Sequence, residues 1–321
     1  MSHNSAGRRS ALTAMAAALM LAGTAAFAAA PMVKTQGPGF YRTMVGEIEV
    51  TVVSDGTVDL PMNQLLQSSQ KKINAALDEH FLTSPVETSV NAFLINTGTK
   101  LVMVDAGAGP LFGPTLGKLQ ASIIAAGYQP DQIDEIYLTH MHPDHLGGLI
   151  NIDKLAFPNA VVRADSHDAD YWLSPVELAR APLDQKPNFL AAMGMLGPYA
   201  AINRFYPFTG EAELVPGVRS TSSYGHTPGH TTYVVESKGE KLVLIGDLIH
   251  AGFMQFDDPS VTIMFDSDRR AAAASRKAGF ADAARHEVLI GGAHLAFPGL
   301  GHLRSNGKGY QFVPLNYTVP R

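Results

Sequence analysis

The sequence predicts an α/β domain in which two sheets pack face to face with helices on their outer sides. Short apolar strands recur in pairs joined by tight turns, and the succession of strand pair, helix and strand runs once before residue 139 and again after residue 217. No Gly-x-Gly-x-x-Gly fingerprint follows a strand, which sets a dinucleotide-binding sheet aside. With 46% hydrophobic residues among 321, the chain can bury one large core or two modest ones. No linker composition divides the halves, so residues 29–321 read as a single domain.

Taken in order, residues 1–28 stand apart. Arg8-Arg9 precede an Ala-rich apolar run, and Ala26-Phe27-Ala28 supplies the small residues that a signal peptidase accepts, so a secretory signal cut after Ala28 is expected. The arginine pair also resembles that of a twin-arginine signal. The run is short and broken by Thr13, Gly23 and Thr24, which argues against a stable membrane anchor. Cleavage removes two positive charges and moves the formal net charge from −5 to −7. Without a basic patch there is no case for nucleic acid as a partner. Zero cysteines exclude disulfides and thiol chemistry and suit a periplasmic or secreted protein.

Residues 46–53 alternate as a strand, followed by an expected turn at Ser54-Asp55-Gly56-Thr57. Residues 62–83 are polar, helical or irregular, and are placed to form an arm, a lid or a surface excursion. Residues 90–96 and 101–104 read as a hairpin whose second strand ends in Asp105 on a Gly-rich turn. Helical spacing runs over residues 113–127 and stops at Gly127. A strand at 135–138 is followed by a short strand at 160–163, a helix at 165–173 and a helical insertion at 175–207. In the second half, strands at 218–222, 232–236 and 242–245, a helix at 268–284 and a strand at 288–290 repeat the rhythm.

The strand at 135–138 opens into Thr139-His140-Met141-His142-Pro143-Asp144-His145-Leu146-Gly147-Gly148. Three imidazoles and a carboxylate within six residues suit borderline divalent ions such as zinc, and no thiolate exists to close a structural site. His140 and His142, two apart, point the same way, whereas Asp144 and His145 lie beyond Pro143 and project elsewhere. Two pairs with different aim predict two adjacent ions. The Gly147-Gly148 pair lets the backbone pass close beneath them.

In the second half, His230, Asp247 and His294 each occupy a loop after a strand, and a carboxylate such as Asp247 can bridge two cations. The Thr139 to Gly148 stretch resembles the metallo-β-lactamase superfamily, whose T-H-x-H-x-D-H-x-G-G motif it fills at every position. The resemblance implies an αββα sandwich with metals held along one edge, His140, His142 and His230 on one ion, Asp144, His145 and His294 on the other, and Asp247 between. Asp105 and His226 are expected behind the ligands, with His302 as a further candidate there. His250, three residues beyond Asp247, falls where lactonases of the superfamily can carry a substrate-touching Tyr, and is expected to donate a hydrogen bond in the cleft. His3, His80, His167 and His286 are assigned surface or structural roles.

Two divalent ions hold a water whose pKa falls to roughly 7, so hydroxide is the expected nucleophile and Asp144 a proton carrier to the leaving group. Zinc is expected, with manganese, cobalt or iron as alternatives. His142 stands where diiron flavoproteins of the superfamily place Glu, which disfavours an iron redox enzyme. Four stretches narrow the resemblance to methyl parathion hydrolase and its lactonase-like relatives: Leu111-Phe112-Gly113-Pro114-Thr115-Leu116-Gly117, Ala156-Phe157-Pro158-Asn159-Ala160-Val161-Val162-Arg163-Ala164-Asp165, Gln255-Phe256-Asp257-Asp258-Pro259-Ser260-Val261 and Phe297-Pro298-Gly299-Leu300-Gly301-His302. That branch implies a periplasmic homodimer with Phe112, Trp172 and Phe189 on an aromatic pocket wall. His250 and Phe253 depart from the phosphotriesterase pattern. Hydrolysis of an apolar lactone or aryl ester is therefore expected first, phosphotriester hydrolysis second, and a low-turnover metal-bound sensor or binding module as the rival of another class.

Overall fold

Strands Phe40–Val45, Ile48–Leu60, Val86–Asn96, Leu101–Val104, Glu135–Tyr137 and Val161–Arg163 lie side by side in chain order. The first three steps are antiparallel and the last two parallel. A second sheet orders Ala212–Val215, Val218–Ser222, Thr231–Ser237, Glu240–Leu244, Leu289–Gly291, Leu300–Ser305 and Tyr310–Pro314 in the same way, with one parallel step between Glu240–Leu244 and Leu289–Gly291. Parallel neighbours require a crossover, and helices Leu119–Ala125 and Arg269–Arg285 supply one in each half. The repeated rhythm in the sequence is this repeated topology. This computed structural model describes residues 30–319, so the expected signal segment lies outside the described residues. Residues 30–37 are irregular and exposed, and the packed unit starts at Pro38. Among the described residues no helix is long and apolar enough to cross a membrane.

Strand alternation builds the layers. Val50, Val52, Phe93, Ile95, Val102 and Val104 of the first sheet meet Val218, Tyr233, Val235, Leu242 and Leu244 of the second. On the outer face of the first sheet, Val53, Leu94, Met103 and Ile136 pack under Leu119, Ile123, Trp172, Phe189 and Leu196. Ile245, Ile290 and Leu303 do the same under Phe280 and Ala283. The result is the αββα sandwich, with the carboxyl ends of the parallel strands delivering their loops to one edge.

Three expectations change. The turn at 54–57 is instead a bulge, because the strand runs on to Leu60 with a register shift between Ser54 and Gly56. Asp-Gly chemistry serves both purposes, and here the bulge turns the buried Asp55 carboxylate toward the N–H groups of Ala108 and Leu119, 2.9 and 3.0 Å away. Helix 113–127 is confined to Leu119–Ala125, since Gly113 and Gly117 adopt φ of +98° and +78°. Residues 62–83 form helices Met62–Leu65 and Gln70–Glu79, which seat Met62, Ile73 and Leu77 on Phe253, Met254 and Ile263. Burying each such side chain contributes about 1.5–3 kcal/mol, so this segment is a docked brace. The insertion at 175–207 is helical as expected, in Pro175–Arg180 and Lys186–Ala201.

Candidate metal centre

Asp105 ends strand Leu101–Val104 in a left-handed conformation, φ +61°, which Asp tolerates better than most residues. Its carboxylate accepts Thr139 N–H at 2.8 Å and the Thr139 hydroxyl at 2.9 Å, and pairs with His145 Nδ1 at 2.9 Å. The loop after Asp105 lies directly on the Gly147-Gly148 backbone. A Cβ on Gly148 would stand 2.0 Å from the Ala106 carbonyl oxygen, so only glycine allows this approach. Asp168, fully buried on helix Ser166–Trp172, joins the loops of the two halves: it accepts Met141 N–H at 2.9 Å, Thr227 Oγ1–H at 3.0 Å and Gly229 N–H at 2.6 Å.

Anchoring one ring nitrogen aims the other. His140 Nδ1 is fixed by Thr139 Oγ1, His145 Nδ1 by Asp105, His294 Nδ1 by the Ser89 carbonyl and His226 Nδ1 by Asp266 Oδ1. Each therefore turns Nε2 inward, while His142 presents Nδ1. The inward atoms form two groups that share Asp247: His140, His142 and His226 on one side, Asp144, His145 and His294 on the other. Asp247 Oδ2 lies 3.3 Å from His226 Nε2 and 3.6 Å from His140 Nε2. Its Oδ1 lies 3.2 Å from both His145 Nε2 and His294 Nε2. His226 Nε2 and His142 Nδ1 are 3.1 Å apart, and Asp144 Oδ2 is 3.3 Å from His294 Nε2.

These separations fit metal ligation. Donors held at ~2.0–2.1 Å around a tetrahedral zinc stand about 3.3–3.4 Å from one another, the middle of the observed range. Buried His140 Nε2, His145 Nε2 and Asp247 Oδ1 have no hydrogen-bond partner, an expense that a cation would remove. Residues 85–294 match the family model described as the metallo-beta-lactamase superfamily. The chain belongs to that superfamily.

Among its solved relatives, the hydrolase AbOPH shares 36% identity, with a TM-score of 0.84 over 89% of this chain and 100% of that one. AidC, a dizinc quorum-quenching lactonase solved with its product N-hexanoyl-L-homoserine, shares 27% identity with a TM-score of 0.81 over 88% and 99%. Acyl-coenzyme A thioesterase MBLAC2 of Gallus gallus is 27% identical over 51% of this chain and 59% of its own length. An N-acyl homoserine lactonase of Bacillus cereus is 29% identical over 44% and 48%. The chain spans about half the length of the curated relatives it matches.

Within the superfamily site, two sequence assignments exchange places. His230 lies outside both donor groups: its Nε2 accepts Asp247 N–H at 3.0 Å and its Nδ1 pairs with Ser223 Oγ at 2.8 Å. His226, expected as a buttress, supplies the inward nitrogen instead. Both stand in Gly225-His226-Thr227-Pro228-Gly229-His230, and nothing in that local pattern says which ring faces the edge. His302 is also remote: it sits on strand Leu300–Ser305 with Nδ1 on the Glu287 carbonyl. Trp172 and Phe189 belong to the helical core, 2% and 1% exposed, since the helices that carry them pack on the outer face of the first sheet. Asp168 and Asp266 were not anticipated; lone carboxylates without a motif gave no signal.

Beside the donors lies a cavity of about 340 Å³. Val58, Leu60, Phe112, Met264 and Phe265 form its apolar wall, Asp184, Gln185 and Asn188 a polar one, and His142, Asp144, Asp247, His250 and His294 its floor. His250 is buried, with Nε2 2.9 Å from Asp247 Oδ2 and Nδ1 without a hydrogen-bond partner. A separate hollow of about 460 Å³ under residues 109–120 contains Asp55, already occupied by backbone donors.

Burial holds His140, His142 and His230 neutral, the last down to about 3, which is the form that offers a lone pair. Burial pushes His226 and His294 the same way, but Asp247 with Asp266 lifts the first to about 9, and Asp247 with Asp144 lifts the second to about 10. The facing histidines hold Asp144 and Asp247 below the usual carboxylate range against the effect of burial. The carboxylates thus demand positive charge at this edge, as protons or as cations.

Proposed function

We propose that this chain is an exported dinuclear-metal hydrolase that opens lactones or cleaves aryl esters carrying an apolar ring or chain. The observation that carries this reading is Asp247, with each oxygen facing its own donor group on the floor of an apolar-walled cavity. His140, His142 and His226 would hold one divalent ion, zinc first, and Asp144, His145 and His294 a second. The pair would supply a water of pKa ~7 and a Lewis acid for the carbonyl. Asp247 sets the spacing of the two positions. Asp144, whose side chain is 24% exposed, takes a proton at Oδ and passes it to the departing alkoxide or phenolate. His250, kept neutral by burial, has Nε2 against Asp247 Oδ2 and Nδ1 without a partner, and offers its ring to the substrate. Val58, Leu60, Phe112 and Phe265 exclude water from the apolar part.

The lactonase AidC, similar over most of both chains, supports the order of substrates. Phosphotriester hydrolysis is the second reading: Phe112, in one of the stretches resembling methyl parathion hydrolase, lies on the cavity wall. Trigonal carbonyl and tetrahedral phosphoryl centres converge near their transition states, so one site can serve both. Assays with dihydrocoumarin, an N-acyl homoserine lactone and methyl paraoxon separate the readings; a much higher kcat/KM for methyl paraoxon would reverse them. Absence of metal-dependent hydrolysis of any activated ester would leave the sensor module. We further propose export through residues 1–28 and assembly as a homodimer, tested by N-terminal sequencing of the exported protein and by sedimentation.

A further inference from the structure

Two inward-facing rings, His145 and His226, carry a carboxylate on Nδ1, and that of His226 comes from the segment that also forms the cavity wall. His226 Nδ1 donates to Asp266 Oδ1 at 2.9 Å, and its backbone is gripped by the same segment, Ser267 N–H on the His226 carbonyl at 2.9 Å and Asp268 N–H on the Gly225 carbonyl at 2.8 Å. Asp266 is fully enclosed, and its second oxygen accepts Ile263 N–H at 3.1 Å. Behind it stands Arg276 of helix Arg269–Arg285, 0% exposed, with Nη2 3.8 Å from Asp266 Oδ2. Arg276 also donates through Nε to the Leu248 carbonyl and through Nη1 to the carbonyls of Pro259 and Val261, 3.1 and 2.7 Å away. A buried guanidinium is destabilising unless a carboxylate and hydrogen bonds offset it, and Nη2 itself has no hydrogen-bond partner. Asp266 is the carboxylate that faces it.

The same segment carries Met264 and Phe265 on the cavity wall, and Leu248 follows Asp247 directly. We infer that Asp266, which faces Arg276 across 3.8 Å, is a positioning residue that sets the affinity of the His140, His142 and His226 metal position and ties it to the cavity wall. An anionic partner on Nδ1 makes Nε2 a stronger donor, and loss of such a partner costs roughly 10–100-fold in metal affinity. His145 has its own carboxylate in Asp105, so the two positions answer to two different residues.

This inference rests on the two-ion reading of the site, and one experiment distinguishes the two. Metal-free full-length protein is titrated with Zn2+ against a competing chelator, reading zinc per protein and the emission of Trp172, the single tryptophan, whose ring lies 5.3 Å from His142. Asp266→Asn keeps size and an acceptor oxygen but removes the charge. Wild type should retain two ions, and the variant should bind one of them about 10–100-fold more weakly with changed Trp172 emission. Asp105→Asn, which removes the carboxylate on His145 and also touches Thr139 beside His140, should weaken the other ion most and change the Trp172 emission less than Asp266→Asn does. Two ions bound by Asp266→Asn as tightly as by wild type, or both weakened equally, would overturn the inference. Should Asp266→Asn not fold by circular dichroism, Asp266→Glu, which restores charge, should retain both ions, and loss of one would overturn it. Wild type with fewer than two ions would instead remove the two-ion reading itself.

Discussion

The loop at residues 139–148 and the loops at 223–230 and 246–250 present the same kinds of donor by different means. In the first, four donors crowd into six residues, and Thr139, Asp105 and the stacked glycines orient them from neighbouring loop ends. In the second, single donors sit on separate loops, and distant residues orient them: Asp266 holds His226, and His230 holds the Asp247 backbone. Gly246 makes that last contact possible, since a Cβ there, at φ +48°, would stand 2.8 Å from His230 Nε2. A dense motif declares its donors through spacing, whereas a dispersed one depends on which ring each tertiary contact has already used.

The largest test of this contrast is Asp247→Asn, since both groups share that carboxylate. Lactonase kcat/KM should fall on the order of 1,000-fold and metal content below two per chain. Near wild-type activity would mean that the groups work independently.

Next in size is the pair His226→Ala and His230→Ala. The first should lose one ion and about 100-fold in activity. The second should keep two ions and lose about 1–3 kcal/mol of stability, because Asp247 N–H is left without its acceptor. The opposite result, by elemental analysis and thermal melts, would restore His230 as the ligand.

Metal removal should expose the charges on the dispersed side. His226 and His294 titrate near 9 and 10 in the fold against 6.5 unfolded, so their contribution is fully present below pH 6.5 and is lost as pH rises through 9 to 10. The chelated protein should therefore melt at lower temperature as pH rises over that range, while zinc, which needs both rings unprotonated, stabilises more strongly. A chelated protein with no fall in melting temperature across this window would contradict that charge balance.

The smallest effect is expected at the wall. Phe112→Ala, at a ring 46% exposed beside the cavity, should raise KM for long-chain lactones about 3–10-fold, worth ~1 kcal/mol. Phe189→Ala should instead lower stability by about 3–5 kcal/mol with KM unchanged. A KM shift in the second and none in the first would return the aromatic wall to the helical core.

Much of the architecture was legible in the sequence. The alternation of Val50 and Val52 against Val53, the paired strands read at 90–96 and 101–104, and the run from Thr139 to Gly148 carry their structural meaning within a few residues, because strand period and ligand spacing are local properties. The bulge at Ser54–Gly56, the docking of residues 62–83 and the inward burial of Trp172 were not, since each depends on what arrives from elsewhere in the chain. The choice between His226 and His230 belongs to the same class. Both rings stand four residues apart in one loop, and only the positions of Asp247 N–H, Ser223 and Asp266 decide which nitrogen is already spent on a hydrogen bond and which is left for a cation.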